Sequence, residues 1–179
     1  MKTTILLLMF CLSLPLHAAQ ALFSDDGYRI ARYRSPTPQQ VDGGLTIDTA
    51  DLQQLLAQVP TPVLLNVQAL DWRAGIFIER EPRQQLPGSL WLPNVGKGEL
   101  EPRWERYFRT ELERATGGAT DTPLVIYCRA DCWMSWNAVR RAATWGYSSL
   151  YWYPEGSDGW REAGLPLETA EPVPLPETQ

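Results

Sequence analysis

Histidine and lysine are scarce in this sequence. Its 179 residues hold one histidine, His17, and two lysines, Lys2 and Lys97, so most of its 16 basic side chains are arginines. Acidic side chains number 21, which gives a formal net charge of −5. A nucleic-acid-binding protein needs a basic stripe along one face, and nothing in this composition builds one. We therefore expect no nucleic-acid partner.

The first 21 residues have the pattern of a secretory signal peptide. Lys2 provides a positive charge, an apolar run extends from Ile5 to Leu16, and Ala-Gln-Ala at 19–21 has the small-x-small form of a cleavage site. The apolar run is shorter than the ~20 residues that a transmembrane helix needs. We predict export to the periplasm, cleavage after residue 21 and no membrane span in the mature chain.

Cleavage would also remove His17 and Cys11, which leaves no imidazole and two cysteines, Cys128 and Cys132. The loss of histidine excludes Ser-His-Asp and Cys-His catalysis, histidine-ligated zinc or copper, and haem attached through a Cys-x-x-Cys-His motif. We therefore predict that the protein uses no metal and no cofactor. In an oxidising compartment the two remaining cysteines are expected to pair.

Strand and helix patterns alternate along the central part of the chain. Residues 46–168 contain short apolar runs, of which 123–127 is the clearest, separated by stretches with apolar residues at helical spacing. This alternation predicts one α/β domain with a mostly parallel central sheet flanked by helices on both faces. Residues 22–45 form a polar N-terminal extension that either lies over the core or stays mobile. Residues 169–179 are expected to form a proline-rich, solvated tail.

Two further predictions concern the segments on either side of the clearest strand. Residues 71–102 are rich in proline and glycine and should be irregular, apart from a short edge strand near Leu90. A helix that ends at Gly146 should follow the strand. Its small and apolar side chains should lie on one face, with Arg140 and Arg141 in solvent.

Cys128 directly follows the clearest predicted strand and precedes a predicted helix. At the carboxyl end of a parallel strand, the N–H groups of the turn and of the next helix converge. The positive end of the helix dipole lowers the pKa of a thiol placed there and populates its thiolate. We therefore predict that Cys128 is a nucleophile and the more acidic of the two cysteines. The alternative is an inert thiol buried in the core.

Cys132 has three alternative interpretations. It is a core thiol, one half of a static disulfide, or the thiol that resolves an intermediate formed on Cys128. A disulfide across so short a loop adds little entropic stabilisation, which favours the redox role over the structural one.

Several short motifs, taken in order and spacing, resemble the C-terminal half of a rhodanese domain. The likeness spans about residues 46–168 and includes a Leu-Pro-Gly-Ser-Leu turn at 86–90 and a first core strand at 63–67. It implies a rhodanese-like fold. It also implies sulfurtransferase or thiol–disulfide chemistry at Cys128, with a small sulfur compound or a protein thiol as substrate. The motifs that carry the likeness are Tyr127-Cys128-Arg129-Ala130, Trp145-Gly146-Tyr147, Leu150-Tyr151-Trp152, Glu155-Gly156, Gly159-Trp160 and Ala163-Gly164-Leu165-Pro166.

A narrower resemblance concerns residues 128–133, Cys-Arg-Ala-Asp-Cys-Trp. With the export signal and the Gly-Ser-Leu-Trp-Leu-Pro-Asn stretch at 88–94, they are similar to the exported CXXCW-motif proteins associated with pyrroloquinoline quinone (PQQ) dependent catabolism. Here three residues, not two, separate the cysteines. The resemblance implies a periplasmic accessory role beside PQQ-dependent alcohol oxidation, with a quinoprotein dehydrogenase or cytochrome as partner. The alternative is a non-catalytic binding module with a fixed Cys128–Cys132 disulfide.

The rhodanese resemblance also implies roles for the residues of this loop. Catalysis falls to Cys128 and Cys132. Rhodanese loops carry glycine and a basic residue a few positions after the nucleophile, where Asp131, Cys132, Trp133 and Met134 stand here. The negative Asp131 should make thiosulfate turnover poor unless it points outward. Met134 stands where a related phosphatase loop carries its phosphate-binding arginine, so no phosphatase activity is expected. The predicted substrate-binding residues, with Trp133 as an aromatic wall, are Arg129, Ala130, Asp131, Trp133, Met134 and Ser135.

Overall fold

A computed structural model describes residues 21–176, which it divides into nine strands and four helices. The strands are β1 (Leu45–Thr46), β2 (Val63–Asn66), β3 (Asp71–Arg73), β4 (Ile76–Ile78), β5 (Gln84–Gln85), β6 (Leu90–Trp91), β7 (Leu124–Tyr127), β8 (Leu150–Tyr153) and β9 (Glu168–Thr169). The helices are α1 (Thr49–Leu56), α2 (Pro102–Thr116), α3 (Trp133–Thr144) and α4 (Gly156–Glu162). The predicted signal peptide, apart from its last position, lies outside the described residues. No helix within 21–176 is long and apolar enough to cross a bilayer.

Strands β1, β8, β7, β2 and β6 lie side by side in that order and form one parallel sheet. In the central strand β7, Leu124 and Ile126 pack on one face, Val125 and Tyr127 pack on the other, and all four are fully buried. Helices α2 and α3 cover the first face, and α1 and α4 cover the second. The predicted α/β fold, with a mostly parallel sheet between helices, is confirmed.

Helix α2 follows from the spacing of its apolar residues. Trp104, Tyr107, Phe108 and Leu112 recur at helical intervals and are buried on one side of the helix. The helix ends at Gly117, which adopts the left-handed conformation with φ 61°. Helix α2 is one of the helices that apolar residues at helical spacing predict within residues 46–168.

Arg141 on α3 is buried, so the prediction that it faces solvent is wrong. It is 7% exposed. Its guanidinium donates hydrogen bonds to the carbonyl oxygens of Val95 at 3.3 Å, Lys97 at 3.0 Å and Gly98 at 2.6 Å. A guanidinium carries five N–H donors and can satisfy several carbonyls of a segment that belongs to no strand. Arg141 therefore fastens the segment after β6 to α3.

The Arg141→Leu substitution is expected to lower the free energy of unfolding by about 2–4 kcal/mol, because it leaves buried carbonyl groups without donors. Chemical denaturation measures this change. Arg106→Leu, the same substitution at an exposed position of α2, is the control and should stay within ~0.5 kcal/mol of the wild type. Equal losses in the two variants would contradict the role assigned to Arg141.

The N-terminal extension packs over α3 and over the loop before it. Arg34 and Cys132 form an antiparallel bridge. The side chain of Asn137 accepts a hydrogen bond from the N–H of Arg29 at 2.9 Å and donates one to the carbonyl of the same residue at 2.8 Å. The buried side-chain amide of Asn137 thus pairs with both the N–H and the C=O of Arg29, which fixes the position of the extension on α3. Of the two alternatives that the sequence left open, packing over the core is the one observed, and β1 begins at Leu45.

Residues 71–102 contain more regular structure than their proline and glycine content predicts. Strands β3 and β4 pair as an antiparallel hairpin around Ala74 and Gly75, which both have positive φ. The predicted edge strand is β6, which lies at one end of the central sheet. The hairpin follows β2 in the chain and forms a sheet separate from the central one.

The C-terminal tail is packed over its first residues, which contradicts the prediction of a solvated end. Strand β9 pairs with β5, Ala170 is 1% exposed, and the N–H of Val173 donates to the carbonyl of Trp91 at 2.9 Å. The hydrogen bond of Val173 to Trp91 covers the outer edge of β6, whose N–H and C=O groups could otherwise pair with another strand. Residues 177–179 lie outside the described part of the chain.

Candidate thiol site

Both cysteines of the described chain lie in the loop between β7 and α3. Cys128 follows the last residue of β7, and Cys132 is the N-cap residue of α3, with φ −121° and ψ 110°. Asp131 between them has a positive φ of 51°, which turns the chain sharply. Both cysteines are free thiols, 3% and 5% exposed. The predicted order of strand, cysteine, loop and helix is confirmed.

The two thiols are hydrogen-bonded to each other and differ in acidity. The Cys128 thiol donates to the sulfur of Cys132. This bond, helped by the N–H groups of Met134 and Arg129 and opposed by burial, lowers the pKa of Cys132 to about 7. Burial, together with donation to Cys132, raises the pKa of Cys128 well above its usual value. At neutral pH about half of Cys132 is therefore thiolate, whereas Cys128 stays protonated.

The prediction that Cys128 is the more acidic cysteine is wrong, because the helix begins later than that prediction required. Helix α3 starts at Trp133, directly after Cys132. The positive end of the helix dipole and the N–H of Met134 in the first turn therefore act on Cys132. Cys128 lies at the strand end in a buried environment, which favours its neutral form.

The turn after β8 supports the backbone of Cys128. The N–H of Ser157 donates to the carbonyl of Cys128 at 3.1 Å, and Arg129 forms an antiparallel bridge with Gly156. Gly156 has φ 58°, and a Cβ atom there would collide with the carbonyl of Cys128. Only glycine fits so close an approach. The sequence identified Gly156 through the rhodanese resemblance alone, and its contact with Cys128 depends on the tertiary structure.

Asp158 on α4 is a site residue that the sequence analysis missed. Its carboxylate accepts a hydrogen bond from the N–H of Ala130 at 3.3 Å and lies 3.6 Å from Nε of Arg129. The carboxylate thus accepts the hydrogen bond that the N–H of Ala130 could otherwise donate to an anionic substrate, and its negative charge repels such a substrate. Asp131, in contrast, is exposed on the outside of the loop. The sequence signal that could have identified Asp158 is its place between the Glu-Gly and Gly-Trp motifs.

Three of the predicted substrate-binding residues, Trp133, Met134 and Ser135, do not reach the loop surface. The indole N–H of Trp133 donates to Oγ of Ser35 at 3.0 Å and to the carbonyl of Pro36 at 3.1 Å. Trp133 is therefore held under the N-terminal extension and does not form the wall of an open pocket. Met134 and Ser135 are 4% and 1% exposed. The first turn of α3 is covered, so a substrate-contacting role does not fit these three side chains.

Arg34 in the N-terminal extension is a second site residue that the sequence analysis missed. Its guanidinium donates to the carbonyl of Ala130 at 2.6 Å, and its charge helps to lower the pKa of Cys132. Arg129 and Asp131 are exposed and Ala130 is half-buried. These three residues form the open side of the loop, whereas the extension covers the other side.

The described residues offer no metal-binding cluster. Within 21–176, no group of three or more cysteine, aspartate, glutamate or histidine side chains is placed to hold an ion. The polar chemistry of the loop rests on the two sulfurs and the backbone amides around them.

Structural comparisons identify the fold, whereas sequence comparisons find no match. No protein-family model and no curated protein matches the sequence. A thiosulfate sulfurtransferase from Pseudomonas aeruginosa superposes on 76% of this chain with a TM-score of 0.53 and 14% identity. This is the rhodanese fold. A structure of EanB in a persulfide state with ergothioneine shares the rhodanese fold over 72% of this chain, with a TM-score of 0.51 and 16% identity.

The chain corresponds to only part of these two proteins. It covers 22% of the length of the thiosulfate sulfurtransferase and 33% of the length of EanB. What is shared is the rhodanese fold, which places the loop from Cys128 to Cys132 at the carboxyl edge of the parallel sheet. The chemistry of this chain has to be argued from its own loop.

Proposed function

We propose that this protein carries out thiol chemistry at the Cys128–Cys132 pair, either sulfur transfer or thiol–disulfide exchange. The observation that carries the proposal is the placement of two buried free thiols in one loop, Cys128 at the end of β7 and Cys132 at the N-cap of α3. Their hydrogen bond lowers the pKa of Cys132, and burial raises that of Cys128. A two-step exchange needs this division, because one sulfur must attack while the other stays protonated until its turn. The N–H groups at the start of α3 stabilise the charge on the first sulfur.

The exchange proceeds in two displacements. The Cys132 thiolate attacks one sulfur of a substrate disulfide, a mixed disulfide forms, and the other substrate sulfur leaves as a thiolate with the electron pair of the broken bond. Cys128 then loses its proton to that thiolate and attacks the sulfur of Cys132, which releases the second substrate thiolate. The substrate disulfide gains two electrons and the pair becomes a disulfide. With a persulfide donor, the first step leaves a persulfide on Cys132 and releases the donor thiol.

Serine variants and intact-mass measurement test this proposal. The reduced proteins are incubated with glutathione disulfide. Cys128→Ser is expected to retain glutathione on Cys132, because no second thiol resolves the mixed disulfide, whereas the wild type forms its internal disulfide and gains no mass. Cys132→Ser is expected to carry far less adduct.

Two other outcomes of the same experiment would contradict the proposal in different ways. Adduct on Cys132→Ser alone would make Cys128 the attacking sulfur. No adduct on either variant, with equal losses of melting temperature, would favour the rival function, a binding module in which Cys128 and Cys132 form a fixed bridge.

We further propose that the protein is exported and serves PQQ-dependent alcohol catabolism beside a quinoprotein dehydrogenase or its cytochrome. The support is the signal pattern of residues 1–21 and the Cys-Arg-Ala-Asp-Cys-Trp motif. The protein purified from its own host should begin at Leu22 by intact mass. Deletion of its gene should slow growth on alcohols and leave growth on organic acids unchanged. A chain that retains residues 1–21, or equal growth on both carbon sources, would count against this role.

Asp158→Ala is expected to raise thiosulfate turnover about tenfold above a low wild-type level, because it frees the Ala130 amide and removes a negative charge beside it. In this reaction a thiolate takes the sulfane sulfur and sulfite leaves. Asp131→Gly is the control, since it removes the same charge from an exposed position where screening is strong. Release of sulfite is the measurement. A larger gain in Asp131→Gly than in Asp158→Ala would show that the exposed carboxylate is the one that excludes thiosulfate.

A further inference from the structure

One cleft collects seven of the 16 basic side chains of this chain. Its volume is about 1480 Å³, and it lies between the β3–β4 hairpin, the start of α2, the thiol loop and α4. Three carboxylates also line it, so positive side chains exceed negative ones by four in a chain whose net charge is −5. The basic residues are Arg73, Arg80, Arg83, Lys97, Arg103, Arg129 and Arg161.

Three of these cations are free to bind a ligand. Arg73, Arg83 and Lys97 have no ion-pair partner among residues 21–176, whereas the other four each contact a carboxylate. Unneutralised charges along a concave surface focus a positive potential, which attracts anions and speeds their arrival. The cleft therefore has a positive potential that favours the binding of negatively charged ligands.

The cleft reaches the thiol loop at one end. Arg129 lines it and directly follows Cys128. Ser157 also lines it, and its N–H is hydrogen-bonded to the carbonyl of Cys128. A ligand that fills the cleft therefore extends up to the open side of the loop that carries the two sulfurs.

The dimensions and lining of the cleft suit a polypeptide segment. Small-molecule pockets enclose about 300–1,000 Å³, and this cleft is larger. Trp72 and Trp104 line it with ring centroids 5.9 Å apart, in an edge-to-face arrangement that side chains of a peptide can pack against. The indole N–H of Trp72 is buried without an acceptor among the described residues. An extended chain with several carboxylates supplies the charges that the three free cations lack.

We propose that the cleft docks an acidic segment of a partner protein and delivers a disulfide next to that segment to the Cys128–Cys132 pair. This inference rests on the proposed exchange function and names its substrate class, a protein disulfide with acidic flanking residues. The chemical step is the two-displacement exchange described above. The partner disulfide is reduced to two thiols and the Cys128–Cys132 pair is oxidised.

The test uses a short peptide with a central cysteine between paired glutamates, activated as a disulfide with thionitrobenzoate, and a matched peptide with glutamines. Release of thionitrobenzoate reports the exchange. Fluorescence anisotropy of the same two peptides, with serine in place of cysteine, reports docking without chemistry. Variants Arg73→Glu and Lys97→Glu reverse charges in the cleft, and Arg106→Glu makes the same change at an exposed site outside it.

The wild type is expected to react about tenfold faster with the glutamate peptide than with the glutamine peptide at low ionic strength, and this preference should fade in high salt. Arg73→Glu and Lys97→Glu should each lose the preference. Arg106→Glu should keep it.

Equal rates with the two peptides would overturn the docking site and leave the exchange function intact. No thionitrobenzoate release from either peptide would overturn the exchange function, and the anisotropy would then decide on docking alone. Citrate is compared with unlabelled glutamate peptide as a competitor of the labelled peptide. Displacement at equal concentrations of the two would overturn the choice of occupant, because the cleft would then be a site for small polycarboxylates.

Discussion

Iodoacetamide is expected to modify the reduced protein first at Cys132, and Cys132→Ser is expected to lower the alkylation rate at pH 7 on the order of a hundredfold. About half of Cys132 is thiolate at that pH, because its pKa lies at about 7. Cys128, whose pKa is raised by burial, contributes almost no thiolate. The rate for the wild type should rise with pH through a midpoint near 7, since a thiol with a lowered pKa is protonated below that value and ionised above it.

Two substitutions at Cys128 separate its hydrogen bond from its sulfur. Cys128→Ser keeps a donor toward Cys132 and should leave the alkylation midpoint low. Cys128→Ala removes the donor, which is the main cause of the lowered pKa of Cys132, and should move the midpoint upward. In denaturant the two cysteines should react at equal rates. Faster alkylation of Cys128 than of Cys132 in the folded protein would contradict the assignment and restore the prediction made from the sequence.

Gly156→Ala is expected to destabilise the protein by about 2–4 kcal/mol, because the new methyl group meets the carbonyl of Cys128 and also forces a positive φ on alanine. The turn must then move away from the thiol loop, which breaks the hydrogen bond between the N–H of Ser157 and Cys128. Thermal and denaturant unfolding measure the loss. The alkylation midpoint of Cys132 should shift as well, since the loop is no longer held.

Gly164→Ala is the matched control for this prediction. Gly164 also has a positive φ, 73°, but a Cβ there would meet no atom within 4 Å. The substitution should cost about 1–2 kcal/mol from backbone strain alone and leave the alkylation of Cys132 unchanged. Equal losses in the free energy of unfolding would show that the close approach of Gly156 to Cys128 does not contribute to stability.

The parallel sheet and its central strand could be predicted because they depend on local patterns. Residues 124–127 are apolar without interruption, and such a run suits a strand covered on both faces. The spacing of Trp104, Tyr107, Phe108 and Leu112 likewise predicts a helix with one buried side. The position of Cys128 after the strand followed from the same pattern.

The acidity of the cysteines could not be predicted, because it depends on where the helix starts and on which groups meet the sulfurs. The prediction assigned the dipole and the first N–H groups of the helix to Cys128, whereas α3 begins directly after Cys132, four positions farther along the chain. The burial of Arg141 could not be predicted either, because it depends on contacts with a distant segment. Its polarity indicated solvent, but three carbonyls of a distant segment give it partners inside the protein.

The sequence by itself determined the alternation of strands and helices in the central domain, the burial of the central strand and the place of Cys128 at its end, because these follow from the periodicity of neighbouring residues. Only the tertiary structure decided what surrounds those cysteines. Arg34 reaches Ala130 across 96 positions and Asp158 does so across 28, and the seven cations of the cleft come from segments between Arg73 and Arg161. Charge and hydrogen bonding act through space, so a chain with a net charge of −5 still builds a positive surface beside its thiols.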